Sequence, residues 1–317
     1  AMSAPSELPV IAITGAGGFL GQLLRNHFEQ AGHTCIGIDR PIPVCQGGPG
    51  VDGAAIAAAG AALKREGDIA CDLSEGLPEG ALDGVDVVIH MAGQGNPDAD
   101  FQDVNKNNIV GSQKVFDAAA SSARCRRVIF ASTNHTMNGL SVERGDGTMY
   151  PGKLVVDPSV QTGGGGGGGG SGGSGGPIKV GARVRPDSLY AVTKIFGEAL
   201  GSHLALTGVF DFVAMRIGWC LYDDPGSERG TEHGEYLRAM WLSKRDCCGY
   251  FDAAVNLPSG EGFPDPGGFL VCHVVSANAM ATLDISESVE ALGYTPQDDS
   301  EPLWQAAAAA KGGGGGV

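Results

Sequence analysis

The chain alternates short, nearly continuous apolar runs with longer amphipathic stretches. Val10-Ile-Ala-Ile-Thr14 is the first run and predicts a strand buried on both faces. Gly18 to Ala31 predicts a helix, with Phe19, Leu20, Leu23, Leu24 and Phe28 on one stripe. Thr34-Cys-Ile-Gly-Ile38 is the next strand and closes on Asp39; Asp68-Ile-Ala-Cys71 and Val85-Asp-Val-Val-Ile-His90 follow. A helix from Asn108 to Ala120 leads into the strand Arg127 to Ser132. Tyr190 to Leu206 reads as a helix and Asp211 to Met215 as a strand, while Phe269 to Val275 reads as a strand returning to the same sheet. Strands alternating with helices imply an α/β fold, a doubly wound parallel sheet covered on both faces.

Composition sets the outer limits. A chain of 317 residues with 42% hydrophobic content makes one large domain or two modest ones. The formal charge of −15 argues against nucleic acid and against an anionic membrane surface. No apolar run reaches transmembrane length, and no signal-peptide pattern is present. Eight cysteines without a C-x-x-C pair read as reduced thiols and form no metal-ligand pattern. A cytoplasmic protein is expected, with an organelle left open by removal of a transit peptide; a homo-oligomer is equally compatible. Residues 41–66 read as loop with a short helix, and 163–176 as a disordered glycine-rich insertion. The alanine and glycine tail over 306–317 reads as low-complexity sequence without function.

Chemistry concentrates where the predicted strands end. Thr14-Gly-Ala-Gly-Gly-Phe-Leu-Gly21 places Gly15, Gly18 and Gly21 between the first strand and the first helix. Such glycines permit a tight turn, close approach of backbone amides to a pyrophosphate, and helix packing on the sheet. The same glycines also suit a turn without ligand. Asp39 stands where a ribose partner is expected, which favours NAD over NADP, although the Arg40 guanidinium could attract a 2′-phosphate. Asp72 and Leu73 end the third strand where an adenine would lie. His90-Met-Ala-Gly93 ends the fourth, with Ala92 and Gly93 leaving room for the cofactor's middle and His90 structural. Ala131-Ser-Thr-Asn-His135 puts four polar side chains at the end of the fifth, where α/β sheets bind ligands. Tyr190 and Lys194 stand one helical turn apart, so phenol and ammonium share a face. A lysine there is expected to favour the phenolate, arming the tyrosine as a base toward an alcohol.

These pieces resemble the extended short-chain dehydrogenases/reductases of the NAD-dependent epimerase/dehydratase type, with a Rossmann-type cofactor domain. More narrowly, Phe130 to Thr136, Arg185 to Glu198, Arg216-Ile-Gly-Trp-Cys220, Trp241-Leu-Ser243, Val275 to Asn278 and Leu292 to Asp298 are similar to uronate dehydrogenases. The resemblance implies a cofactor domain over 8–216 with a small C-terminal substrate-binding lobe from 217–268 and 282–305. It implies Tyr190 as the base, Lys194 lowering its pKa and holding the nicotinamide ribose, and Thr133 bonding the reacting oxygen. It adds Phe19, Leu20, Met91, Asn108 and Ile217 to the cofactor contacts. Asn134 and His135 match residues that contact the sugar acid. The activity implied is oxidation of glucuronate or galacturonate at the anomeric carbon to an aldarolactone, with NAD reduced.

The chain departs from that pattern at the sugar's far end. Tyr236 occupies the place of the arginine that clamps the carboxylate, and Arg238 or Arg229 would have to substitute. Gly95 replaces a serine and Trp219 a small residue. A nucleotide-sugar epimerase or dehydratase of the same fold, and a non-catalytic dinucleotide sensor, are the competing readings.

Overall fold

A computed structural model describes residues 8–40, 65–141, 177–220, 224–231 and 233–312. Most of the segment 41–66 and all of the glycine-rich insertion lie outside the described residues. Seven strands form one fully parallel sheet: β1 (Ile11–Thr14), β2 (Cys35–Asp39), β3 (Ile69–Ala70), β4 (Val87–His90), β5 (Arg127–Thr133), β6 (Asp211–Ile217) and β7 (Phe269–Val274). Their order is β3-β2-β1-β4-β5-β6-β7, so chain direction across the sheet reverses between β1 and β4. Crevices at such a reversal are where open α/β sheets take ligands. The expected return strand pairs with β6, with Ile217 beside Val274.

Side chains alternate between the two faces, as a pleated strand requires. Ile11, Ile13, Val87, Ile89, Ile129, Val213 and Met215 pack with Leu24 and Phe28 of α1 (Phe19–Gln30) on one face. Ala12, Val88, Val128, Phe130, Phe212 and Ala214 pack with Val115, Phe116 and Ala119 on the other. Those last three belong to α2, residues 101–121, which is α-helical over Phe101–Val104 and Gly111–Ser121 with a π turn over Asn105–Val110 between. The helix therefore starts earlier than the apolar period indicates, with the Asp100 side chain accepting from Asp103 N at its cap.

The next helices are short α3 (Asn138–Ser141) and α4 (Leu189–Leu206), which carries the tyrosine and lysine. Beyond β6 come α5 (Gly234–Met240), α6 (Lys244–Asn256), α7 (Ser286–Leu292) and α8 (Ser300–Gly312). A third apolar cluster joins Met137, Leu140, Ile178, Tyr236, Leu237, Met240, Val275 and Leu283, and it fixes α5 against the C-terminal end of the sheet. The alanines after Gln305 continue α8 to Gly312, and Ala307 Cβ lies 2.9 Å from where a Cβ on Gly226 would sit. Alanine favours helix, and Trp304 anchors the helix by its burial.

Among the described residues no helix is long and apolar enough to cross a membrane, and no cluster of side chains could hold a metal ion. The seven described cysteines are free thiols.

Candidate active site

The glycine loop is shaped by backbone contact. Gly15 has φ +68°, and a Cβ there would lie 2.7 Å from Ala92 N. A Cβ on Gly21 would lie 2.1 Å from Gly15 O, so only glycine lets α1 start this close to β1. Gly18 caps α1 without any side-chain acceptor, which leaves first-turn amides for an anionic ligand. Asp39 Oδ2 accepts from Gly17 N at 2.8 Å and its Oδ1 from Arg40 N at 2.8 Å, so the carboxylate is held at the rim of the loop. Phe19 opens α1, and the Lys244 ammonium lies 5.4 Å from its ring centroid. Leu20 packs against the core beside it.

Asp72 lies farther along the same edge. Burial raises its carboxyl pKa, but hydrogen bonds from Ser74 and the Lys106 ammonium outweigh this and hold it below the usual range. Leu73 is buried beneath it. His90 is wholly enclosed, with Nδ1 2.7 Å from Thr14 Oγ1 and Nε2 2.9 Å from Ser112 Oγ. Burial, with the Lys194 charge adding, pushes its pKa down to about 3, so it is a neutral strut between β1, β4 and α2. Met91 N bonds Thr14 O and Ala92 N bonds Thr14 Oγ1, which sets the β4 edge against the glycine loop.

The π turn gives Asn108 its position. Its Oδ1 accepts from Gln94 N at 2.6 Å, and its Nδ2 donates to Gln94 O at 3.0 Å and to Thr193 Oγ1 at 2.9 Å. One buried amide thus ties the loop after β4 to α4. Gly93 faces this clamp, because a Cβ there would meet Asn108 Oδ1 at 2.9 Å and Lys194 Nζ at 3.4 Å.

Tyr190, Lys194 and Thr133 come together as expected. Ser188 caps α4 by accepting from Ala191 N, which starts the helix one residue before the tyrosine. Lys194 Nζ lies 5.8 Å from the Tyr190 ring centroid and 4.9 Å from that of Phe130. Thr133, at the end of β5, stands close enough to the Tyr190 phenol to lower its pKa. Ile217 ends the neighbouring strand in register with Thr133.

The electrostatics differ from the sequence expectation. Burial pushes the Tyr190 phenol up to about 12, the Thr133 bond lowers it, and the Asp187 charge raises it. Lys194 does not figure among the groups that move it. The lysine is itself 4% exposed and pushed down to about 8 by burial. Desolvation dominates both groups here, where the spacing argument counted only the charge pair. Tyr190 retains partial solvent exposure, so water screens some of this upward push.

On the sugar side, Asn134 and His135 form a 3-10 turn directly after Thr133. Asn134 Nδ2 donates to the Tyr236 phenol oxygen, and Tyr236 is 2% exposed at the heart of the third cluster. His135 Nδ1 lies 2.8 Å from Asp187 Oδ2, and its ring meets Tyr190 edge-on at 5.8 Å. Trp219 packs edge-on to Tyr236 at 5.8 Å.

Arg238 is not brought to this cluster. It stands two residues beyond Tyr236, about 200° round α5. Its Nε donates to Glu301 at 2.8 Å, its Nη1 to Glu235 at 3.1 Å, and its guanidinium covers Trp304 at 5.2 Å. Arg229 likewise donates to Trp304 O at 2.8 Å. Both arginines serve to dock α8. Asp187, Asn138, Gln94 and Thr193 belong to the site and were missed. The one local signal was an Asp-Ser pair just before the tyrosine helix.

Comparison with known proteins agrees with this geometry. The family described as "Epimerase: NAD dependent epimerase/dehydratase family" matches residues 11–149. An L-arabinose 1-dehydrogenase (NAD(P)(+)) of Haloferax volcanii is 35% identical over 69% of this chain and 77% of its own. A uronate dehydrogenase of Pseudomonas putida is 26% identical over 92% of this chain and 85% of its own. The crystal structure of uronate dehydrogenase from Agrobacterium tumefaciens superposes with a TM-score of 0.65 at 22% identity, covering 95% of this chain and 89% of that one. From the glycine loop to the Tyr190–Lys194 helix, and by its identity to the Haloferax relative, this chain belongs to the NAD dependent epimerase/dehydratase family.

Proposed function

We propose that the protein is an NAD-dependent sugar dehydrogenase that oxidises the anomeric carbon of a free aldose to a lactone. The observation that carries this is the meeting of Tyr190, Thr133 and Lys194 at the end of β5, beside the glycine loop. The residues present fit the dinucleotide: the bare cap at Gly18 suits its pyrophosphate, and the Asp39 carboxylate suits a ribose diol and repels a 2′-phosphate. NAD, when bound, supplies the hydride acceptor and a positive ring charge.

In this reading Tyr190 Oη takes the proton of the anomeric hydroxyl as the C1–H bond gives up its hydride. Thr133 Oγ holds the same oxygen and fixes its distance from the phenol. A phenol lying near 12 holds its proton at neutral pH, so Lys194 has to favour the phenolate as the reaction proceeds. Enclosure of Lys194 by Phe130 and Asn108's clamp keeps its ammonium directed toward this point.

The favoured substrate is a neutral aldose of the arabinose kind. A carboxylate calls for a bidentate cation, and Tyr236 stands where that arginine would be while Arg238 faces Glu301. The uronate expectation is the second reading, supported by the Pseudomonas relative. Absorbance of reduced nicotinamide, followed with L-arabinose, other neutral aldoses, glucuronate and galacturonate, separates the two. Faster turnover of a uronate would reverse the substrate assignment, and sugar conversion without net reduced cofactor would favour an epimerase.

A further inference from the structure

A carboxylate that no motif pointed to lies at the centre of the sugar side. Asp187 Oδ2 is 2.8 Å from His135 Nδ1 and 2.8 Å from Asn138 Nδ2, while its Oδ1 accepts from Ser188 Oγ at 2.9 Å. Burial raises its pKa, but the hydrogen bonds from His135, Asn138 and Ser188 outweigh that, so it stays ionised. An ionised carboxylate can only accept. Both of its neighbours must therefore turn donors toward it.

The consequences run outward in two directions. His135 must carry its proton on Nδ1, so a neutral ring presents the Nε2 lone pair, which has no partner among the described residues. Asn138 must turn its amide nitrogen inward, and that nitrogen also donates to the Tyr236 oxygen at 3.0 Å. The Asn138 oxygen then accepts from Asn134 Nδ2 at 3.3 Å, and the Asn134 oxygen accepts from Thr133 Oγ at 3.4 Å. Thr133 has spent its one proton there, and its oxygen accepts from His135 N at 3.3 Å. Tyr236 receives two amide N–H groups on its oxygen and keeps its own O–H for a ligand.

We propose that Asp187 is a positioning residue that sets the direction of this whole hydrogen-bond chain, so that the pocket offers an acceptor at His135 Nε2 and a donor at Tyr236 Oη. That pairing suits a diol edge, where one hydroxyl donates and its neighbour accepts. The inference rests on the Thr133–Tyr190 cleft being the site of sugar oxidation, but its first test does not require turnover.

Nitrogen NMR of the imidazoles in the full-length, cofactor-free protein reads the tautomer directly. The proton belongs on His135 Nδ1 in the natural protein, and Asp187→Asn abolishes that preference because its amide can also donate. A His135 ring protonated on Nε2 in the natural protein overturns the proposal. The kinetic test uses Asp187→Asn, His135→Ala and the double variant, with NAD affinity followed by tryptophan fluorescence. Losing one charge-assisted bond lowers kcat/KM for a neutral aldose about ten- to hundredfold. NAD affinity is unchanged, and the loss in the double variant is smaller than the product of the two single losses, because Asp187 acts in part through His135. Losses that multiply, or an Asp187→Asn enzyme with unaltered constants, contradict it. If Asp187→Asn does not fold, Asp187→Glu keeps an acceptor-only group, and its His135 tautomer decides the question. A natural protein that turns over no aldose sinks the proposed function, while the tautomer result still judges Asp187.

Discussion

Replacing Asn108 by alanine tests whether the clamp between β4 and α4 builds the cofactor site. The side chain makes three buried bonds, two with the backbone of Gln94 and one with Thr193 Oγ1. Thr193 keeps its own bond to Tyr190 O, so its loss is small. Gln94 N and O, on a half-buried residue, lose these two bonds at about 1 kcal/mol each, the low end for such groups. A total of about 2–3 kcal/mol corresponds to a fall in Tm of about 3–5 °C for a chain of this size. The damage is also local. Gly93 and the Lys194 ammonium face the same amide, so NAD affinity falls along with stability. Thermal denaturation by circular dichroism, paired with a fluorescence titration of NAD, measures both. Asn108→Asp refines the result, because it keeps the contact to Gln94 N and loses both donor bonds. An Asn108→Ala protein with unaltered Tm and unaltered NAD affinity would refute the reasoning.

Other consequences are equally open to measurement. Arg127 is buried at the far end of β5, donating to Ala254 O, Leu257 O and Asp211; Arg127→Met leaves these unpaired and costs about 3–5 kcal/mol in urea denaturation, with NAD affinity per folded molecule retained. Gly21→Ala forces a Cβ onto Gly15 O, so dinucleotide binding by calorimetry is lost. His90 and His273 are buried with pKa values pushed down to about 3 and about 4, chiefly by burial. The unfolded chain binds protons that the folded chain refuses, so their contribution is complete above about pH 6.5 and is lost as pH falls, at about 1.4 kcal/mol per histidine per pH unit. Urea denaturation at neutral and mildly acid pH checks that slope, and a stability that rises on acidification would contradict it. Oxidation by a tyrosine base accelerates as pH rises from neutrality, because burial holds the Tyr190 phenol well above that range, and kcat/KM followed against pH checks it.

Features that depend on neighbours in sequence were legible, and those that depend on distant partners were not. Strands β1, β4, β5 and β6 are buried on both faces, so their apolar runs stood out without periodicity. The glycine loop and the Tyr190–Lys194 pair are local and kept their places. The π turn at Asn105–Val110 escaped because one extra residue in a helical turn barely disturbs an apolar stripe. Asp187 escaped because its partner His135 lies far away in sequence. Arg238 was misjudged because its true partners, Glu301 and Trp304, sit at the start of a helix whose alanine-rich end looked uninformative. The upward push on the Tyr190 phenol reflects enclosure, which spacing alone does not report.

The account depends most on the phenol of Tyr190 acting as the base. Steady-state formation of reduced nicotinamide by Tyr190→Phe, with NAD affinity measured on the same sample, tests this most directly. The account predicts a fall in kcat of about two or more decades with NAD still bound. A phenylalanine variant that binds NAD and oxidises sugar nearly as fast as the natural protein would contradict it.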